Sequence, residues 1–507
     1  MKNIMLWIGL ISFLHAANLL CQSDKIHLIT SLPGANNAVG LGDVNGDGYD
    51  DFMIKAGDAK LYFGGESFIE GNCLVFESSA TEFLGMNFSG IGDINNDGYD
   101  DFAIRGEIAT PDMEHRYFVH IFYGASTIDK TPVVTLRKNP YLFDEMFGEQ
   151  ILPAGDFNGD GYDDFLIGSW YNWSDGYGRV YLYLGSEAVT QDSYILFYSG
   201  IIDDSYGSTV GGVGDINNDG YDDFMVSDWL MRGMSGFPGE DHVYIYYGNA
   251  EGDNEVDNII SSGETNFGRY IQRAGDIDND GNKDFIISSL DNVHIFNDLG
   301  EIKTLNGYGY ITAGDGNINN DEYNDFLVGG ITQLNSENIP VAAAWAFYGN
   351  PNFNTDINTR FESNELDGFG AYLSFLGDLN NDGYDEFAIS APSKNNNTGI
   401  TYIYSAGNLT GIKENFSVPT ETQLFQNYPN PFNPSTKIQF SIPVAGKYAM
   451  KIYNILGQEV AELLNEQMNP GKYTFDFNAR GLASGIYFYR LIGDNKVNIT
   501  KKMILLR

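Results

Sequence analysis

Residues 43–52 read DVNGDGYDDF. Numbered from Asp43, side-chain oxygens stand at positions 1, 3, 5 and 9, Gly48 stands at position 6, and Phe52 closes the stretch at position 10. A single such stretch could be a solvated turn, because Asp, Asn and Gly are good turn formers. The chain writes it again as DINNDGYDDF (93–102), DFNGDGYDDF (156–165), DINNDGYDDF (215–224), DIDNDGNKDF (276–285), NINNDEYNDF (317–326) and DLNNDGYDEF (378–387). The seven copies start 50, 63, 59, 61, 41 and 61 residues apart. Recurrence at such a period marks propellers or solenoids.

The flanking text decides between them. Before each copy runs a short apolar segment ending in Gly, as in FGEQILPAG (147–155). After it comes an alternating strand such as DFLIGS, then a variable loop, then a second alternating strand such as VYLYLG (180–185). A further apolar run often follows, for example YILFYSG (194–200). Four strands per repeat without helical periodicity make a four-stranded blade, and seven of them make a β-propeller. The last repeat runs out after its third strand, GITYIYSAG (399–407), while KIHLITSL (25–32) precedes the first copy unclaimed. That segment is expected to supply the outer strand of the last blade and close the ring.

The spacing of the loop carries its chemistry. Oxygens at positions 1, 3, 5 and 9, a Gly at 6 and a backbone carbonyl at 7 form the first part of an EF-hand pattern, suited to a hard cation that takes six to eight oxygens. The usual Glu at position 12 is missing, since the chain enters a strand at position 10. Water or a second carboxylate oxygen would complete the shell. The expected calcium ligands are Asp43, Asn45, Asp47, Tyr49 and Asp51 in the first loop. They are Asp93, Asn95, Asp97, Tyr99 and Asp101 in the second, and Asp156, Asn158, Asp160, Tyr162 and Asp164 in the third. The fourth loop offers Asp215, Asn217, Asp219, Tyr221 and Asp223, the fifth Asp276, Asp278, Asp280, Asn282 and Asp284, and the seventh Asp378, Asn380, Asp382, Tyr384 and Glu386. The position-7 residue contributes its carbonyl. In the sixth loop (317–325), Asn317 replaces Asp and Glu322 replaces Gly, so weak or no binding is expected there. About six structural calcium sites follow. Magnesium demands strict octahedral geometry and keeps its waters, and zinc wants His or Cys, which the loops lack.

A net charge of −41 over 507 residues argues against nucleic acid and anionic membranes as partners. Cys21 and Cys73 give no disulfide framework. Residues 1–23 combine Lys2 with an apolar run and read as a secretory signal peptide, and no later segment is apolar enough to span a bilayer. The propeller is expected over 24–410, a linker over 411–428 and a small β-sandwich over 429–507. The Pro- and Asn-rich NYPNPFNPST (427–436) denies a helix. Residues 416–507 hold ten Lys or Arg against six Asp or Glu, a reversal of sign that marks a boundary. The expected fold class is therefore all-β, a seven-bladed propeller of four-stranded blades followed by a sandwich.

Phe147-Gly148, Tyr206-Gly207, Phe267-Gly268 and Phe369-Gly370, each ahead of an acidic loop, and ISAP (389–392) resemble FG-GAP repeats, as in the propeller of integrin α chains. NYPNPFNPSTKIQF, GQEV, GLASGIYFYRL and KKMILL resemble the type A sorting domain of the type IX secretion system. This second resemblance implies a Gram-negative, Bacteroidota-like bacterium, contact with the secretion machinery, and a secreted or surface location.

In a meander the loop between the second and third strands lies opposite the acidic loops. Those loops vary most, and they carry Trp170, Tyr171, Trp173 and Trp229, candidates for binding a protein or glycan ligand. His120 and His294 occupy third-strand positions filled by Tyr181 and Tyr244 in sister repeats, so packing explains them, and no nucleophile motif is visible. The expected function is calcium-dependent adhesion or recognition; a carbohydrate-binding lectin or a lyase-like propeller is the alternative.

Overall fold

The computed structural model describes residues 26–66, 73–79, 81–108, 117–137, 146–170, 176–200, 205–229, 240–297, 300–334, 340–351, 358–363, 367–407, 422–427, 429–442, 446–468, 471–493 and 497–506. The expected signal peptide, most of the expected linker, and Tyr171 and Trp173 lie outside them. The chain divides into two compact units, 1–411 and 412–507.

The first unit consists of seven four-stranded antiparallel sheets. Blade 1 runs from Ala38–Gly42 to Cys73–Phe76, blade 2 from Glu82–Gly92 to Val134–Leu136, and blade 3 from Gln150–Gly155 to Tyr194–Phe197. Blade 4 runs from Thr209–Gly214 to Asn258–Ile260, blade 5 from Tyr270–Gly275 to Gly300–Asn306, and blade 6 from Ile311–Gly316 to Asn358–Ser363. Blade 7 contributes Tyr372–Gly377, Glu386–Ala391 and Ile400–Ser405, and its outer strand is His27–Pro33 from the other end of the unit. That strand pairs antiparallel with Ile400–Ser405, from His27 opposite Ser405 to Pro33 opposite Ile400. First strands of successive blades touch around the ring, including those of blades 7 and 1. Those of blades 1 to 6 line a cavity of about 470 Å³, with Gly40, Gly90 and Gly212 among them beside Asp100, Asp163 and Asp222.

One cross-strand pair recurs in every blade. The second strand opens at position 9, and the Phe at position 10, its second residue, lies directly opposite an aromatic residue of the third: Phe52 with Tyr62, Phe102 with Phe122, Phe165 with Tyr183, and Phe224 with Tyr246. Phe285 with Phe296, Phe326 with Phe347 and Phe387 with Tyr404 complete the set. All seven pairs stack within 17° of parallel, with centroids 4.9–5.5 Å apart. Such pairs stabilise a sheet beyond the area they bury. Because each sits just under the loop, the loop's second strand starts from a rigid base.

The second unit has two sheets. One joins Gln423–Leu424, Ser435–Ile442 and Gly471–Asn478; the other orders Glu459–Met468, Gly446–Asn454, Gly485–Gly493 and Val497–Leu505. Ile438 and Phe440 of the first pack with Met450, Ile452, Tyr489, Leu491 and Met503 of the second in one buried core. The Asn-Pro segment is bound into it. Asn427 donates to Thr436 Oγ1 at 2.9 Å and Phe432 N–H donates to the Ile504 carbonyl at 3.0 Å. No helix among the described residues is long and apolar enough to cross a membrane.

Candidate metal centres

Each repeated loop joins the first and second strands of its blade. Position 2 is apolar and buried throughout: Val44, Ile94, Phe157, Ile216, Ile277, Ile318 and Leu379. It anchors the loop below, so the polar positions face outward around a common centre. Position 4 is Gly or Asn in every copy, and each has a positive φ of 54–72°. Residues with a larger side chain resist that left-handed backbone, which explains the restriction.

The position-1 carboxylate organises the loop. In the third copy Asp156 Oδ1 accepts the Asp160 N–H at 3.0 Å and Oδ2 accepts the Gly161 N–H at 2.9 Å. The bond from the position-6 N–H recurs at 2.7–2.9 Å in six of the loops. In the same six loops the position-6 Gly has φ of 88–95°. The sixth loop departs: Glu322 has no positive φ, and Asn317 Nδ2 donates to the Asp321 carbonyl at 2.7 Å.

Position 9 is the buried member. Asp51, Asp101, Asp164, Asp223, Asp284, Asp325 and Glu386 are all fully inaccessible to solvent. In the third loop Asp164 Oδ2 accepts from Phe157 N at 3.2 Å and Oδ1 from Gly185 N at 2.8 Å. Gly64, Gly124, Gly248 and Gly349 play the Gly185 part in blades 1, 2, 4 and 6. Burial first, and the carboxylates of the same loop second, push Asp51, Asp101 and Asp164 up to about 8. The same causes push Asp223 and Asp284 up to about 7 and Glu386 up to about 8. A cation at the loop centre would oppose both causes and hold these groups ionised.

The fifth loop offers the densest donor set. Carboxylate oxygens of Asp276, Asp278 and Asp284 lie within 4.8 Å of one another. Among the described residues, Asp284 Oδ1 is buried with no hydrogen-bond partner, and so is Asp382 Oδ2 in the seventh loop. Buried anionic oxygens are costly unless paired or bound to a metal. The donor set is all oxygen, which fits a hard cation. Positions 1, 3, 5, 7 and 9 would hold it; its contribution would be charge neutralisation within the loop.

Reading the loops against the EF-hand template missed position 8. Asp50, Asp100, Asp163, Asp222, Asn324 and Asp385 each accept the N–H of position 1 in the preceding blade, at 2.7–2.9 Å. The signal was present, since five copies carry Asp there. The template gives that position no ligand, and its partner lies in another repeat.

On the opposite face, Trp170 Nε1 donates to Glu149 Oε2 at 2.8 Å and Trp229 Nε1 to Thr209 Oγ1 at 2.9 Å, with both rings half-buried. The Arg269 guanidinium lies 5.4 Å from the Trp229 ring and 3.9 Å from the Tyr310 ring. His120 is paired with Thr135 Oγ1 at 2.8 Å, and His294 lies between Glu264 and Glu301 at 3.1 Å each.

Two family models and several curated proteins match parts of the chain. The FG-GAP repeat family matches residues 147–183 and 370–404, and the secretion system C-terminal sorting domain matches 426–506. The chain is similar to integrin alpha-6 of Gallus gallus, 35% identical over 150 residues, 28% of this chain and 13% of that one. It is similar to integrin alpha-6 of Homo sapiens, 34% identical over 148 residues, 28% of this chain and 12% of that one. The chain thus spans about an eighth of the length of these relatives. Among solved structures it is similar to BBS1N in complex with ARL6DN, with a TM-score of 0.45 and 9% identity, covering 76% of this chain and 98% of that one.

Proposed function

We propose that this chain, which carries FG-GAP repeats ahead of a secretion system C-terminal sorting domain, is a calcium-stabilised propeller for adhesion or recognition at the surface of a Bacteroidota-like bacterium. The sorting domain marks it for type IX secretion, hence for the outer surface or the medium. The observation that carries the calcium reading is that carboxylate oxygens of Asp276, Asp278 and Asp284 lie within 4.8 Å of one another, in a loop architecture repeated in the other blades. Calcium acts structurally: it neutralises each acidic cluster and fixes the turn on which the second strand starts. Isothermal titration should give about six sites, and chelation should lower the melting temperature. A melting temperature indifferent to chelator sinks this reading.

The ligand face is the one opposite the metal loops, where Trp170, Trp229, Arg269 and Tyr310 stand on the ends of rigid strands. Aromatic rings with an arginine suit a protein or a glycan surface. Binding to cells or matrix protein without glycan dependence supports adhesion. Glycan binding lost on replacing Trp170 and Trp229 supports the lectin alternative, and release of unsaturated sugars supports a lyase.

A further inference from the structure

The position-8 contacts form a series that runs from blade to blade. Each is a two-bond clasp on the backbone of a loop's first residue. Asp163 illustrates it: its Oδ2 accepts the Asp93 N–H at 2.9 Å, and its own N–H donates to the Asp93 carbonyl at 3.3 Å. The same pair of bonds links Asp100 to Asp43, Asp222 to Asp156, Asn324 to Asp276, Asp385 to Asn317, and Asp50 to Asp378. The last of these joins blade 1 to blade 7. The fold makes room for it: Gly155 has φ of 70°, and a Cβ there would strike the Asp222 carboxylate.

One seam lacks the clasp. Lys283 holds position 8 in blade 5, and among the described residues no hydrogen bond joins it to Asp215. At that seam Asn218 Nδ2 donates to Asn282 Oδ1 at 2.6 Å, between positions 4 and 7 and not at the first ligand. Position 8 lies between the position-7 carbonyl and the position-9 carboxylate of its own loop. It therefore holds the first ligand of one loop while flanked by two ligands of the next. Asn324 makes the same clasp with an amide oxygen, so the requirement is a hydrogen-bond acceptor and not a charge.

We infer that position 8 is a positioning residue that couples neighbouring metal loops, so that calcium binds to a linked series interrupted between blades 4 and 5 and at the sixth loop, where little or no ion is expected. The inference rests on the calcium reading above. Ordering a loop with an ion fixes its position 8, which fixes the first ligand of the loop before it; linkage makes the effect mutual.

The test follows calcium-dependent hydrogen-exchange protection loop by loop in the full chain, during a calcium titration. For Asp163→Ala the protection midpoint of residues 93–101 should rise about tenfold, the worth of one hydrogen bond. The midpoint of 276–284 should stay put, and Asp163→Asn should restore that of 93–101. Conversely, Lys283→Asp should build the absent clasp and lower the midpoint of 215–223; this arm survives if Asp163→Ala fails to fold. A uniform shift of all loops, or none, with Asp163→Ala overturns the coupling, as does a Lys283→Asp protein with an unchanged fourth loop. A wild-type chain with no calcium-dependent protection in any loop overturns the calcium reading and the coupling together.

Discussion

At the scale of single residues, position 9 sets the pH behaviour. Asp164 binds its proton more tightly in the folded state, being pushed from 3.8 up to about 8 chiefly by burial. Proton linkage then requires chelated protein to lose stability as pH climbs between those values. Bound calcium would hold the carboxylate ionised and so remove that decline. Melting curves from pH 5 to 8, with calcium and with chelator, check the sign. Asp164→Asn removes the titrating group and with it this pH dependence of chelated protein, but its amide sets an N–H in place of one of the two oxygens that accept from Phe157 and Gly185, at a cost of about 1–3 kcal/mol. It should also take away about 1–3 kcal/mol of the calcium-induced gain. In the sixth loop, Asn317→Asp with Glu322→Gly restores the missing position-1 and position-6 features, and titration should count one more site. The loop's internal geometry was legible because its residues belong to one short stretch and repeat. Position 8 was not, because its partner is brought in by the neighbouring blade.

At the scale of elements, the stacked pair under each loop is the joint between chemistry and scaffold. Phe165 and Tyr183 are both fully buried and 5.2 Å apart. Phe165→Ala should cost about 3–5 kcal/mol, as large core truncations do, read as a lower denaturant midpoint in the calcium-loaded protein. Phe165→Tyr, which keeps the ring, should cost much less. Strand order and blade number could be read directly, because alternation, the invariant Phe and the third-strand Gly each have a local cause. Gly185, for instance, lies where a Cβ would strike the Asp163 carbonyl. The setting of the opposite face was less open to reading. Trp170 and Trp229 are half-buried with their N–H groups bonded to Glu149, just ahead of the first strand of blade 3, and Thr209, which opens that of blade 4. Sequence alone marks the aromatics and not what they lean on.

At the scale of the propeller unit, closure depends on its two ends. His27–Pro33 completes blade 7, and Ile26 is buried in a core shared by blades 6 and 7. Removing residues 26–33 should lower the melting temperature by several degrees and expose the free edge of Ile400–Ser405, an invitation to self-association. Light scattering and calorimetry on the shortened chain check both. The same strand has a mechanical consequence. The propeller hands over to the C-terminal unit just after Ile400–Ser405, so any tension from that side enters through this strand. With His27–Pro33 on one flank and Glu386–Ala391 on the other, it is an interior strand held by two ladders. A tether pulled by flowing liquid must break both, where an edge strand would peel from one; in an optical trap the shortened chain should yield at lower force.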